Sequence, residues 1–301
     1  MLGLTYTFEI NRKCNFMCMH CCNEGDYKEM SVKEIIYSLK KISEFGKDIR
    51  FSGGEPLLDI EKLSIAAKEA DKLGMKAAFT TNGFLIEEKI EDILKLPLDR
   101  VQVSLDGLEN THNKIRKNEL SFQKTIEGIK SLKENKARVY VSTCITNLNY
   151  KELPEIYELC NELSVDRYRV FPMIPVGKAD KEILVKPDEL KQTLEGIADW
   201  SGKTEISYPK LYTYGKETYN CKAGKEFLNI RVNGDVTACM YLEKVIGNIL
   251  KQDIPEILKN VSEAKLEISD CCSGCKELKY CRGGCQAFKE NNMNDLYCWR
   301  D

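Results

Sequence analysis

Six short apolar, β-branched runs alternate with longer stretches of helical periodicity through the first two thirds of the 301-residue chain, and this alternation restricts the fold more than any other feature. Strands are expected near 4–10, 47–51, 76–80, 100–105, 138–144 and 167–172. Between them Ser31 to Phe45, Ile60 to Leu73, Ile86 to Leu96, Ser121 to Asn135 and Tyr150 to Leu163 carry apolar residues at helical spacing, several opened by Ser, Asp or Asn caps. A sixth helix is expected from near Pro187 to near Trp200, because proline suits the first helical turn. Repeated strand-helix units pair their strands in parallel. The expected architecture is therefore α/β, a partial (β/α)6 TIM-like barrel over residues 1–200.

From about Gly202 the pattern changes. Tyr208 to Tyr219 is aromatic and irregular, a hairpin is signalled by Asn233-Gly234 between Leu228–Val232 and Val236–Ala238, and cysteines become dense. Residues 201–301 are expected to form a second, small cysteine-rich domain stapled by metal. The 43% hydrophobic content is enough for one barrel-sized core and a smaller one.

Fourteen cysteines cluster at both ends in metal-ligand spacings, and the opening Met1–Ile10 has neither a basic flank nor an apolar signal core. A reducing compartment, the cytoplasm, is expected, and no apolar run approaches a membrane span. With 45 basic and 47 acidic residues and no basic block, nucleic acid is not an expected partner. His20 and His112 are the only histidines, which leaves almost no material for a histidine-rich metal site or a Ser-His-Asp triad.

Cys14, Cys18 and Cys21 stand in C-x3-C-x2-C, and three thiolates can hold an iron-sulfur cluster while leaving one iron open. Ser52-Gly-Gly-Glu-Pro56 follows about thirty residues later. Both motifs come directly after expected strands, at the carboxyl-end face where reacting groups gather in such sheets. A Gly-Gly-Glu-Pro run, an Asn-Gly pair or an Asp-Gly pair taken alone reads as a tight turn. Their succession on one face favours a functional reading. The two motifs in this order resemble the radical S-adenosylmethionine (radical SAM) superfamily.

That resemblance implies that Cys14, Cys18 and Cys21 bind a four-iron four-sulfur cluster, with the amine and carboxylate of S-adenosylmethionine on its fourth iron. Ser52, Gly53, Gly54 and Glu55 would lie along the cofactor, the glycines permitting close backbone approach and Glu55 accepting from the bound amine. It places His20 where relatives pack an aromatic ring on the adenine, and Asn82, Ser104 and Asp106 near cofactor or substrate. Met173, in Phe171–Gly177, falls in an adenine-side loop.

In the tail, Cys221-x12-Gly234-x4-Cys239, Cys272-x2-Cys275-x5-Cys281-x3-Cys285 and Cys298 match the seven-cysteine pattern of the family's SPASM domain. A zinc ribbon is the competing reading, but seven cysteines exceed one zinc site. The resemblance implies two auxiliary four-iron four-sulfur clusters, one on Cys272, Cys275, Cys281 and Cys298, the other on Cys221, Cys239 and Cys285. Relatives carry a further cysteine shortly after the first of the seven, and Lys222–Leu228 has none. Either Cys271 closes that cluster or a substrate thiolate or amide does. Cys144 and Cys160 read as small buried hydrophobes, whereas Cys22 and Cys271 flank cluster loops and are candidates to donate a hydrogen atom to a substrate radical.

The activity so implied is reductive cleavage of S-adenosylmethionine to a 5′-deoxyadenosyl radical that modifies a ribosomally synthesised peptide, by thioether or carbon-carbon crosslinking. Alternatives are peptide epimerisation, maturation of a porphyrin or quinone precursor, sulfatase maturation, and a non-enzymatic electron carrier. Sulfatase maturases place an aspartate where this chain has Met240 and Tyr241. Thirteen residues precede Cys14, too few for a leader-binding domain, so leader recognition would need another surface or a separate leader-binding protein; a flavodoxin- or ferredoxin-type electron donor is an expected partner.

Overall fold

Strands that follow one another in sequence also follow one another in space: β1 (Thr5–Asn11), β2 (Asp48–Gly53), β3 (Lys76–Thr81), β4 (Arg100–Ser104), β5 (Val139–Ile145), β6 (Arg167–Pro172) and β7 (Glu205–Ser207) are all parallel. This computed structural model describes residues 3–23, 27–197, 199–208, 223–263, 272–276, 278, 283–290, 295 and 298. The crossovers are α1 (Val32–Ser43), α2 (Ile60–Lys72), α3 (Ile86–Leu94), α4 (Glu109–Arg116) with α5 (Ser121–Glu134), α6 (Leu153–Glu162) and α7 (Pro187–Ile197). Ser31 opens α1 with a capping box, its hydroxyl facing the Glu34 amide while the Glu34 carboxylate accepts from the Ser31 amide at 2.8 Å.

The tail extends the same sheet. β8 (Phe227–Ile230) pairs in parallel with β1, and β9 (Asp235–Thr237) and β10 (Val245–Asn248) continue antiparallel, followed by α8 (Ile254–Glu263). Gly234 turns the expected hairpin with φ of +85°, a conformation glycine adopts without strain. The ten-stranded sheet ends at β10 on one side and β7 on the other, so the barrel is partial and open. Among the described residues no helix is long and apolar enough to cross a membrane.

Pleating divides the sheet into two unlike faces. Tyr6, Phe8, Phe51, Phe79, Val101, Val103, Val141 and Tyr168 are buried under Ile35, Leu39, Leu63, Ile129 and Ile156 of the helices, forming the core. The alternate residues carry polar groups that bond to one another: Arg50 Nη2 donates to Thr7 Oγ1 at 3.1 Å, Arg169 Nη1 to Gln102 Oε1 at 3.1 Å, and Gln102 Nε2 to Ser142 Oγ at 3.3 Å. The concave side is thus polar throughout its middle.

All six expected strands and six expected helices are present, and several elements were not foreseen, among them the short helix Gln286–Glu290 and the 3-10 turns Pro56–Asp59 and Lys181–Ile183. β7 is three residues long, α4 is almost wholly polar, and β10 and α8 lie beyond the expected hairpin. The helix expected from Tyr150 begins with a 3-10 turn, Tyr150–Glu152, and becomes α-helical at Leu153, because Pro154 fits only the first turn.

Candidate active site

The loop that leaves β1 is stitched to the loop that leaves β2. Gly54 N–H donates to the Asn11 carbonyl at 2.9 Å and Glu55 N–H to the Lys13 carbonyl at 2.7 Å, just before Cys14. Only glycine permits this contact. A Cβ on Gly53, whose φ is +148°, would stand 2.3 Å from the Asn11 oxygen, and one on Gly54 would stand 2.0 Å from the Lys13 oxygen. The pair thus lays the end of β2 on the chain entering the cysteine loop. Ser52 is half-buried opposite Glu9 of β1.

Glu55 is fully buried. Its carboxylate accepts from Leu57 N–H at 3.0 Å, Thr81 Oγ1 at 2.9 Å and Asn82 N–H at 2.8 Å, which ties the ends of β2 and β3 together. Burial raises its pKa, against the pull of those three bonds. Asn82 in turn donates from Nδ2 to Asn15 Oδ1 at 2.8 Å, beside Cys14.

After β4, half-buried Ser104 lies opposite Ser142, and Asp106 becomes the hub of a buried network. Asp106 Oδ2 lies 2.5 Å from Arg116 Nη2 and 3.5 Å from His20 Nε2, and Oδ1 accepts from Cys144 N–H at 2.8 Å. Burial works to raise its pKa, but the Arg116 charge and the histidines overturn this and hold it below the carboxylate range. His112 Nδ1 accepts from Asp106 N–H at 3.0 Å, so its Nε2 carries the proton and donates to Ser121 Oγ at 2.8 Å. Burial, with Arg116 adding, pushes the His112 pKa down to about 3.

Arg116 was missed in the sequence. It lies on α4, four residues after His112 on the same buried face, and its Nη1 donates to Cys18 Sγ at 3.6 Å. The available signal was that spacing: an arginine one helical turn beyond a histidine that follows Asp106-Gly107. Burial raises the Cys18 thiol pKa; Asp106 and Cys21 add to this and Arg116 opposes it. Cys14, Cys18 and Cys21 lie on one loop, with Cys21 N–H donating to the Cys18 carbonyl at 3.3 Å.

The remaining expected residues gather around this loop. His20 turns toward Asp106, and burial lowers its pKa to about 4. Met173 is buried in a small apolar cluster with Cys144 and Ile183, against which Met19 of the cysteine loop packs. Cys22 is half-buried, and a Cβ on Gly177 would stand 2.4 Å from its carbonyl oxygen, so the loop after β6 closes directly on it. Cys160 is a wholly buried residue of α6.

In the tail, Cys275 N–H donates to the Cys272 carbonyl at 3.1 Å across a turn in which Gly274 has φ of +76°. Asp295 joins two more cysteines, accepting from Cys285 N–H on Oδ2 at 2.9 Å and from Cys298 N–H on its carbonyl at 3.1 Å. Cys239 follows β9, its carbonyl accepting from Thr237 Oγ1 at 2.8 Å. Cys221, Cys271 and Cys281 lie outside the described residues. Among the described residues no three cysteine, histidine or carboxylate side chains converge tightly enough to chelate a single ion, whereas a four-iron cluster takes its thiolates at separate irons.

Comparison with known proteins agrees with this arrangement. Residues 8–160 match the model of the radical SAM superfamily, and residues 221–286 match SPASM, an iron-sulfur cluster-binding domain. The chain is 26% identical to AdoMet-dependent heme synthase of Methanosarcina barkeri over 93% of this chain and 90% of that protein. It is also 26% identical to the sporulation killing factor maturation protein SkfB of Bacillus subtilis over 92% of this chain and 70% of that one. The crystal structure of Streptococcus suis SuiB bound to precursor peptide SuiA shares the fold, with a TM-score of 0.79 at 18% identity over 99% of this chain and 76% of SuiB. From the glycine-stitched cysteine loop to the matched segment that spans half of its length, the chain belongs to the radical SAM superfamily.

Proposed function

We propose that Cys14, Cys18 and Cys21 hold a four-iron four-sulfur cluster that binds S-adenosylmethionine, and that the chain uses it to take a hydrogen atom from a ribosomally made peptide, leading to a thioether or carbon-carbon crosslink. The observation that carries this reading is the stitching of the cysteine loop to Gly53, Gly54 and Glu55, with Asn82 and Asp106 converging on the same loop. The donor set fits the group: three thiols on one loop and a buried guanidinium at one of them suit an anionic thiolate cluster. When bound, the cluster supplies the electron that splits the sulfonium into methionine and a 5′-deoxyadenosyl radical.

The protein's share is position and shielding. Glu55 presents a carboxylate fixed by three donors, Ser52, Ser104 and Met173 border the concave face, and His20 is oriented by Asp106. Cys272, Cys275, Cys281 and Cys298 would hold one auxiliary cluster, and Cys221, Cys239 and Cys285 three irons of another. The fourth iron there is left for Cys271 or a substrate thiolate. Cys239 follows β9, and β9 joins β1 through β8, so a cluster at Cys239 would lie at the β1 side of the sheet. The similarity to SkfB supports a peptide substrate.

A second reading, radical maturation of a tetrapyrrole, is favoured by the heme synthase similarity, which runs nearly end to end in both chains. Anaerobic reconstitution tests both: about twelve irons per chain and 5′-deoxyadenosine under reduction are expected, with about eight irons and no cleavage after Cys14, Cys18 and Cys21 are changed together to alanine. Retained cleavage by that variant would refute the assignment. Mass spectrometry then separates products, a two-hydrogen loss marking a crosslink and one deuterium gained from heavy water marking epimerisation.

A further inference from the structure

Two arginines on the concave face have no carboxylate partner. Arg12, Arg100, Arg116, Arg138 and Arg167 each lie within ion-pair distance of an aspartate or glutamate. Arg50 of β2, Arg169 of β6 and Arg231, which follows β8, do not, among the described residues; Arg231 donates to the Leu242 carbonyl, and the bonds of Arg50 and Arg169 go to the neutral oxygens of Thr7 and Gln102. Arg50 Nε is buried with no acceptor, as are those of Arg12, Arg100, Arg116 and Arg167, but those four have a carboxylate on another nitrogen and Arg50 does not. Like charges gathered in a part-buried interior repel, and each loses hydration that no partner returns. Arg169 of β6 reaches across β5 to Gln102 of β4, and β3, with the small Ala78 as the register partner of Arg50, is the one strand between β4 and Arg50, so the two guanidiniums face one region of the concave side; burial, with the charge of Arg169 adding, lowers the Arg50 pKa to about 10. Such an arrangement suits an anion.

We propose that Arg50 and Arg169 bind a carboxylate of the substrate inside the barrel and so fix the reacting carbon beneath the cysteine loop. Guanidinium pairs suit a planar carboxylate through parallel N–H donors. The proposal rests on the barrel interior being the substrate chamber, and it holds for either source of carboxylate, a tetrapyrrole side chain or an aspartate or glutamate of a peptide.

Equilibrium dialysis of the reconstituted enzyme tests it with two matched probe pairs: a tetracarboxylated porphyrin against its methyl ester, and a glutamate-rich ten-residue peptide against its glutamine counterpart. One acidic probe is expected to bind at least about tenfold more tightly than its neutral twin, with most of that preference lost in Arg50→Gln and Arg169→Gln and part kept in Arg50→Lys. The pair that shows the preference identifies the source. Should either glutamine variant fail to fold, the salt dependence of the wild-type protein decides, since only the acidic probe should weaken as salt is added. Equal binding within both pairs, or a preference that survives both glutamine variants, overturns the proposal. So does loss of tail iron from Arg50→Gln with the preference intact, which would assign the cations to a cluster at Cys239. Binding needs no S-adenosylmethionine cleavage, so a carboxylate preference without 5′-deoxyadenosine would leave this inference standing and remove the radical reading.

Discussion

Arg116 reaches Cys18 and Asp106 at once, with Nη1 3.6 Å from the Cys18 sulfur and Nη2 2.5 Å from Asp106 Oδ2. Burial works to lower the Arg116 pKa, but Asp106 and Cys18 overturn this and raise it, so the cation is permanent. A fixed N–H donor at a ligand sulfur favours the reduced, more negative state of a cluster. Arg116→Gln is therefore expected to shift the potential of the cluster proposed at Cys14, Cys18 and Cys21 to a more negative value in an EPR-monitored titration. It should also slow 5′-deoxyadenosine formation by about 10- to 100-fold, the worth of a hydrogen bond to a charged group. An unchanged potential would confine Arg116 to a structural role.

The same ion pair makes a stability prediction. Asp106→Ala leaves the Arg116 guanidinium buried without its anion and removes the acceptor for Cys144 N–H, at an expected cost of about 3–5 kcal/mol in chemical denaturation. Replacing both partners together with apolar residues should recover part of that loss. A double variant no more stable than Asp106→Ala would show that the loss does not come from stranding the Arg116 charge.

The barrel strands were legible because their helix-facing residues are large and apolar at period two, as in Tyr6 and Phe8 of β1. The cysteine loop was legible because its spacing is followed by Ser52-Gly-Gly-Glu-Pro56, each motif directly after an expected strand. α4 was not, since Glu109–Arg116 has Ile115 as its sole aliphatic residue and buries His112 and Arg116 alongside it. Their burial is sustained by Asp106, a partner that the linear order does not reveal. Arg50 was hidden for a related reason: in Asp48-Ile-Arg-Phe-Ser it reads as the solvent side of an ordinary alternating strand, whereas the barrel turns that side inward. Ser52, Glu55 and Asn82 were placed correctly at strand ends, but the bonds that join them cross between loops far apart in sequence.

Gly54 and Gly196 should respond oppositely to alanine. At Gly54 a Cβ would stand 2.0 Å from the Lys13 carbonyl oxygen, so the cysteine loop must shift. Gly54→Ala is expected to lose about 3 kcal/mol or more and to reconstitute with about four fewer irons. At Gly196, within α7, nothing lies within 4 Å of the added carbon, and Gly196→Ala should gain about 0.5–1 kcal/mol from helix propensity with iron content unchanged. Thermal denaturation and iron analysis of the two variants check both halves.

His112 makes stability fall in mild acid. Its folded pKa of about 3 lies below the ordinary value of 6.5, so between those limits the unfolded chain binds a proton that the folded chain does not. Stability from this group is therefore complete above pH 6.5 and declines as pH falls, by about 1.4 kcal/mol per pH unit once well inside that window. Glu9 and Glu55, whose pKa values are raised by burial, act in the opposite direction where they take up protons in the folded state first. His112→Gln keeps an acceptor for Asp106 N–H but cannot titrate, so the comparison isolates the histidine. Urea denaturation from pH 7 to pH 5 should show the wild-type protein losing stability more steeply than His112→Gln by about 1 kcal/mol per unit in the lower half of that range. Parallel slopes would mean that the ring accepts a proton in the folded state, and that Nδ1 is not held by Asp106.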